Sequence, residues 1–197
     1  MPRLINNVQS AAAAIRAGGV VVYPTETVYG IGALALNEKT VRKVIALKRI
    51  PSKPISMAVS SLEMIDTVAY IHDDDLLHKL LPGPFTVLLP KKDVVPLILT
   101  AGSLCVGIRY PAHDMACQLI NEVGEPITST SANLTGDPPA TRAEDVILDV
   151  DCILEGGTAS LGPSTVVDLV NHTVIRRGAG YESIERAGLL HKSWRDR

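Results

Sequence analysis

At 197 residues and 46% hydrophobic, the chain can bury a sizeable core and is expected to form one domain over residues 1–197, with its core at about 5–190. The net charge of −2 and a pI near 6.2 exclude a globally basic nucleic-acid binder, so any anion affinity has to come from local clusters of Lys and Arg. Three cysteines without a Cys-x-x-Cys pair argue against a disulfide framework or zinc site, and no apolar run approaches bilayer length, so the expectation is a cytoplasmic protein with no membrane partner.

Residues 8–17, rich in alanine, read as a helix that Gly18-Gly19 closes. The run Gly19-Val-Val-Val-Tyr23 reads as a short buried strand. Pro24 ends it, and Thr25, Glu26 and Thr27 enter a turn that the following glycines let backbone line closely. Asn37 caps the next helix, with Val41, Val44, Ile45 and Ala46 inward and Lys39, Arg42 and Lys43 in water. Pro51 and Pro54 make residues 48–54 an irregular cationic connection into a strand at 55–59. Ser60-Ser-Leu-Glu63 has capping-box spacing for a third helix. The acidic run after His72 caps a fourth helix at 76–81 rather than holding a metal, because three consecutive carboxylates do not share a face.

Strands follow at 85–89 and 105–110, with a short apolar turn or helix at 94–99 between them. A helix at 114–122 leads to a short strand from Pro126 and the hydroxyl-rich loop Ser129-Thr-Ser-Ala-Asn-Leu-Thr-Gly136. Thr141-Arg-Ala-Glu144 looks like a second capping box, opening a helix that carries Val146, Ile147 and Leu148. The last strands are 152–154, 165–169 and 173–176, joined by turns too short for crossover helices and therefore antiparallel neighbours; an amphipathic helix at 182–190 and a fraying charged tail end the chain. The fold class is α/β, with a twisted mixed parallel and antiparallel sheet and flanking helices.

Polar residues cluster where apolar strands end: Thr25-Glu26-Thr27, Lys48-Arg49, Arg109 and residues 129–133, with Ser164 and Arg176 later. Each has an ordinary structural reading alone, such as a side-chain-stabilised turn or a cation at a helix C-terminus. Strand ends of one sheet can converge, and then several cations and hydroxyls with few carboxylates would suit phosphate and carboxylate groups. No Gly-x-Ser-x-Gly or Gly-x-x-x-x-Gly-Lys-Ser/Thr is present, and Tyr29-Gly-Ile-Gly32 is too weak for a dinucleotide site.

Seven pieces together resemble the YrdC/Sua5 family. They are Tyr23-Pro-Thr-Glu-Thr-Val-Tyr-Gly-Ile-Gly32, residues 48–59, Leu81-Pro-Gly-Pro-Phe-Thr86, Val106-Gly-Ile-Arg-Tyr-Pro111, Ser129-Thr-Ser-Ala-Asn133, Pro163-Ser-Thr-Val166 and Ile175-Arg-Arg-Gly178. The resemblance implies a YrdC-like sheet around a deep cationic concave surface. It also implies a synthase that makes L-threonylcarbamoyladenylate and pyrophosphate from L-threonine, bicarbonate and ATP, for the N6-threonylcarbamoyladenosine (t6A) of tRNA. Carried over by position, Thr25, Arg109 and Ser164 are substrate-side residues; Lys48, Arg49, Ser129, Ser131, Asn133, Arg142 and Arg176 are nucleotide-side residues.

No protein nucleophile is implied, since positioning and charge stabilisation suffice. Mg2+ would arrive with ATP. A downstream threonylcarbamoyl transferase complex is the implied partner, and contact with tRNA or other RNA stays open. The family's Lys-x-Arg-Pro element stands here as Lys48-Arg49-Ile50-Pro51, with isoleucine in the place of arginine, and Ala58 stands where a histidine is often found. A non-catalytic RNA- or nucleotide-binding paralogue of the same fold is therefore the alternative. The chain resembles the short, single-domain form of the family.

Overall fold

A computed structural model describes residues 2–49, 53–189 and 195–196. The helices are α1 (Val8–Arg16), α2 (Glu38–Lys48), α3 (Leu62–Val68), α4 (Asp74–Leu80), α5 (Asp114–Val123) and α6 (Tyr181–Arg186). The strands are β1 (Arg3–Ile5), β2 (Val21–Tyr23), β3 (Gly30–Gly32), β4 (Ser56–Ala58), β5 (Phe85–Pro90) and β6 (Cys105–Arg109), followed by β7 (Ile127–Ser131), β8 (Cys152–Leu154), β9 (Thr165–Asp168), β10 (Thr173–Arg176) and β11 (Arg195–Asp196).

Side-chain oxygens accept orphan N–H groups at the helix starts: Asn7 for α1, Asn37 for α2 and Asp73 for α4. The strands form a mixed sheet in the order β1-β8-β2-β3-β7-β4-β6-β5-β9-β10-β11. β4 runs parallel to β6 and β5 parallel to β9, while β7–β4, β6–β5 and β9–β10 are antiparallel.

Strand alternation decides where the open space lies. On one face Met57, Val87, Leu89, Val106, Ile108 and Val167 join the core with Val44 of α2, Ile65 of α3 and Leu77 of α4. On the other face, α1 and α5 pack against Val21, Tyr23, Ala58, Ile127, Cys152 and Leu154. That second helical layer reaches as far as Ala58 on β4. In register beside Ala58 on β6 stands Arg109, and from there across β5 and β9 the same face is the floor of a cavity.

Close backbone approach explains the glycines of β3. A Cβ at Gly30 or at Gly32 would meet the Tyr23 ring at 3.1 Å, so the pair leaves room for Tyr23 to lie across its neighbouring strand.

Several expectations are corrected. β1 and β3 are strands where none was expected. Ala46 is exposed, and Thr40 and Lys48 are buried on α2 instead. The cap of α3 is Ser61, while Ser60 is buried and donates to Asn121 Oδ1 at 2.7 Å. No helix carries residues 146–148: only a 3-10 turn, Ala143–Asp145, forms, with Arg142 at its N-cap. Val146 and Leu148 are buried while Ile147 is 72% exposed, the alternation of extended chain. β8 does not neighbour β9; it lies between β1 and β2, parallel to both, because residues 155–164 carry the chain from one half of the sheet to the other. The final helix is α6, and Leu190 lies outside the described residues. Of the tail expected to fray, Arg195–Asp196 pairs in parallel with Thr173 and Val174; residues 191–194 and 197 lie outside the described residues.

Candidate active site

The cavity measures about 440 Å³. Its floor is Ser56, Gly107, Arg109, Thr86, Leu88 and Val166, drawn from four neighbouring strands. Its walls come from Thr25, Thr27, Val28, Tyr29 and Gly30, from Ser129, Thr130 and Ser131, and from Pro163, Ser164, Ile175 and Arg176. A Cβ at Gly107 would stand 2.5 Å from Ser56 Oγ, so the floor is kept low there by the missing side chain.

Arg109 is the most constrained group, only 4% exposed. The bend through Pro82-Gly-Pro84 turns the Gly83 and Phe85 carbonyls inward, and Nη1 donates to them at 2.6 and 2.7 Å. Nη2 donates to Glu26 Oε1 at 2.9 Å and to Thr27 Oγ1 at 3.4 Å. Residues 83 apart in the chain thus fix one guanidinium.

The Thr25 hydroxyl donates to Val28 O at 2.7 Å, so the 2.9 Å contact between the two threonine hydroxyls has Thr27 as donor. Thr25 Oγ1 also accepts the N–H groups of Thr27 and Val28. The turn is therefore self-capped, and it lines the cavity as well.

Across the floor, Arg176 Nε and Nη2 donate to Ser164 O at 3.2 and 2.8 Å, and Nη2 reaches Ser164 Oγ at 3.3 Å. Ser164 Oγ lies 2.9 Å from Thr86 Oγ1. Burial lowers the pKa of Arg176 below the ordinary guanidinium range, and the charge of Arg109 lowers it further. Among the described residues no carboxylate pairs with Arg176, so an anion entering between the two guanidiniums would relieve their repulsion.

Lys48, at the end of α2 and 4% exposed, donates to Ser131 O at 2.5 Å, Asn133 O at 2.9 Å and Asn133 Oδ1 at 3.3 Å. Its three N–H bonds are all used, and Thr135 returns a bond to Lys48 O. The loop after β7 is therefore clamped from behind by a cation. Burial alone pushes the Lys48 ammonium down to about 8. Tyr23, beneath the Ser129 wall, is pushed up to about 12, chiefly by burial, and stays a neutral donor to Thr128 O.

The structure brings Thr25, Arg109, Ser129, Ser131, Ser164 and Arg176 into one lining, with Lys48 and Asn133 directly behind it. Arg49 and Arg142 stand outside that lining: Arg49 is exposed at the left-handed C-cap of α2, and Arg142 is exposed and paired with Glu144. Ile50 and Pro51 lie outside the described residues. Ser56, Thr86, Tyr29 and Gly107 also line the cavity, without having been singled out as candidates in the sequence. Thr86 and Gly107 had one readable signal, a hydroxyl and a glycine each placed within an otherwise apolar strand. Among the described residues no cluster of three His, Cys, Asp or Glu could hold a metal ion, and no helix is long and apolar enough to cross a membrane.

Known proteins share this chain's sequence and shape. The Sua5–YciO–YrdC family model, described as "Telomere recombination", matches residues 13–178. A threonylcarbamoyl-AMP synthase of Pyrococcus abyssi is 39% identical over 82% of this chain and 50% of its own length. One of Photobacterium profundum is 35% identical over 88% of this chain and 100% of its own length. The chain spans about half the length of the first of these relatives and of a Bacillus subtilis one. In three dimensions, P. abyssi Sua5 complexed with L-threonine superposes with a TM-score of 0.90 at 34% identity, over 100% of this chain and 62% of that one. E. coli YciO gives 0.79 at 26% identity, over 90% and 96%.

Proposed function

Because the chain belongs to the Sua5–YciO–YrdC family, we propose that it is a nucleotidyltransferase that makes L-threonylcarbamoyladenylate from L-threonine, bicarbonate and ATP, for t6A modification of tRNA. The observation that carries this reading is the joining of Thr25, Arg109, Ser164 and Arg176 in one cavity with two guanidiniums. The threonylcarbamoyl-AMP synthases among its relatives and the L-threonine complex of P. abyssi Sua5 support it.

In the proposed reaction the threonine amine attacks the carbon of bicarbonate, water leaves, and a carbamate forms. A carbamate oxygen then attacks the α-phosphorus of ATP; the bond to the bridging oxygen breaks and pyrophosphate departs with that electron pair. Three anionic species have to meet, which water opposes. Arg109 takes the amino-acid carboxylate on its fixed fork, beside Thr25. Arg176 faces the phosphates while Ser164, which it holds, stays on the substrate side with Thr86, and Lys48 holds the loop of Ser131 and Asn133 that closes over the nucleotide. Mg2+ would come with ATP and supply charge neutralisation at the phosphates; among the described residues no carboxylate lines the cavity to hold it apart from the nucleotide. Threonine is told from serine by one methyl, about 1–3 kcal/mol in a fitted pocket.

The adenylate would pass to a threonylcarbamoyl transferase complex. Omission assays test the reading: pyrophosphate release should need ATP, bicarbonate and L-threonine together. Release that is equal without threonine, or absent with all three, removes it.

A further inference from the structure

The two arginines of the cavity differ in what stands behind them. Arg109 faces a carboxylate, with Nη2 2.9 Å from Glu26 Oε1. Glu26 is not part of the lining, and its side chain is 12% exposed. Its second oxygen, Oε2, is buried and has no hydrogen-bond partner among the described residues. Among the described residues Arg176 is held by neutral oxygens alone, the Ser164 carbonyl and hydroxyl. One subsite is therefore close to neutral as a unit, and the other carries an uncompensated positive charge.

We infer that Glu26 is a positioning residue that grades the charge of the cavity, reserving Arg109 for a singly charged carboxylate and sending polyphosphate to Arg176. The inference rests on the proposed reaction, which brings a triphosphate and an amino acid into one space. Attraction to a cation scales with the charge of the anion, so two bare guanidiniums would both be taken by the more highly charged ligand. A fixed carboxylate behind Arg109 reverses that order. Polyphosphate approaching Arg109 is repelled by Glu26, whose orphaned oxygen sits in a low-dielectric setting where its field is little screened.

An amino acid is a zwitterion, and the same field attracts its ammonium. Its carboxylate still gains hydrogen bonds, because Arg109 keeps Nε–H and the loosely engaged N–H that reaches Thr27 at 3.4 Å. Nη1 stays on the Gly83 and Phe85 carbonyls, so the fork does not turn.

The experiment is calorimetric titration of inorganic pyrophosphate, with and without L-threonine, into the wild-type chain, Glu26→Gln and Glu26→Asp. The expected result is about tenfold tighter pyrophosphate binding in Glu26→Gln, with pyrophosphate now competing against L-threonine. Glu26→Asp keeps the charge and should bind pyrophosphate within about twofold of wild type, although its shorter reach weakens L-threonine. Unchanged pyrophosphate affinity in a folded Glu26→Gln, or the same behaviour in both variants, overturns the inference and leaves Glu26 a structural partner.

Should Glu26→Gln not fold, the wild-type chain decides. Pyrophosphate that leaves L-threonine bound supports the sorting, and pyrophosphate that displaces it overturns it. If the wild-type chain binds no L-threonine at all, the proposed reaction fails on its own, and the difference in pyrophosphate affinity between wild type and Glu26→Gln still decides the role of Glu26.

Discussion

The two most informative residues are cations that the fold has removed from water. Lys48 is held down to about 8 by burial, below the ordinary 10.5, so between those values the folded chain binds fewer protons than the unfolded one. The linkage sign follows: stability at this site rises with pH across that window. Its grip on the loop that flanks the nucleotide side runs the opposite way, because the neutral amine has lost its charge and one donor. We expect kcat/KM for ATP to fall as pH rises through about 8. Lys48→Met should lower turnover about 100-fold and abolish that limb of the profile; a wild-type limb that persists in the variant removes Lys48 as its source.

Arg109 belongs to a buried pair, so Arg109→Ala leaves Glu26 charged, buried and unpaired. Urea unfolding should show a loss of about 3–5 kcal/mol, against a small one for a surface arginine such as Arg42. A loss under about 1 kcal/mol would mean that the pair holds little.

Among the elements, the layer of α1 and α5 and the open floor beside it should respond differently to substitution. Leu119 of α5 is fully buried between helix and sheet, and Leu119→Ala should cost about 2–5 kcal/mol while leaving ligand affinity of the folded fraction unchanged. Gly107→Val puts a side chain into the floor against Ser56, costs about 1–3 kcal/mol, and should abolish ligand binding. Equal effects of the two on binding would contradict the boundary drawn between Ala58 and Arg109. Much of this level was readable in the sequence. Asn37 marks its helix because a short polar side chain can accept an orphan N–H, and the 85–89 and 105–110 runs mark strands through their apolar, β-branched content. β3 was not, since two glycines outweigh the strand propensity of its single isoleucine, and the reason for the glycines, the Tyr23 ring packed against them, is a tertiary fact. The 146–148 run misled because three apolar residues fit either period, and burial on alternate residues is a tertiary fact.

At the scale of the whole molecule, long-range pairing is what local pattern could not supply. β8 inserts between β1 and β2, and Glu26 meets Arg109 across 83 positions; neither leaves a trace in its own neighbourhood of sequence. The candidate residues were legible as polar groups at strand ends, and Thr25, Arg109, Ser129, Ser131, Ser164 and Arg176 do share a cavity. The sheet brings them together because its second helical layer ends at β4, leaving floor and rim open where segments distant in sequence arrive. The central claim is that this one hollow holds a triphosphate and an amino acid side by side. A crystal structure with a non-hydrolysable ATP analogue and L-threonine tests it most directly. The account predicts the threonine carboxylate on the Arg109 guanidinium and the phosphates towards Arg176 in the same cavity; threonine bound elsewhere, or phosphates seated on Arg109, would contradict it.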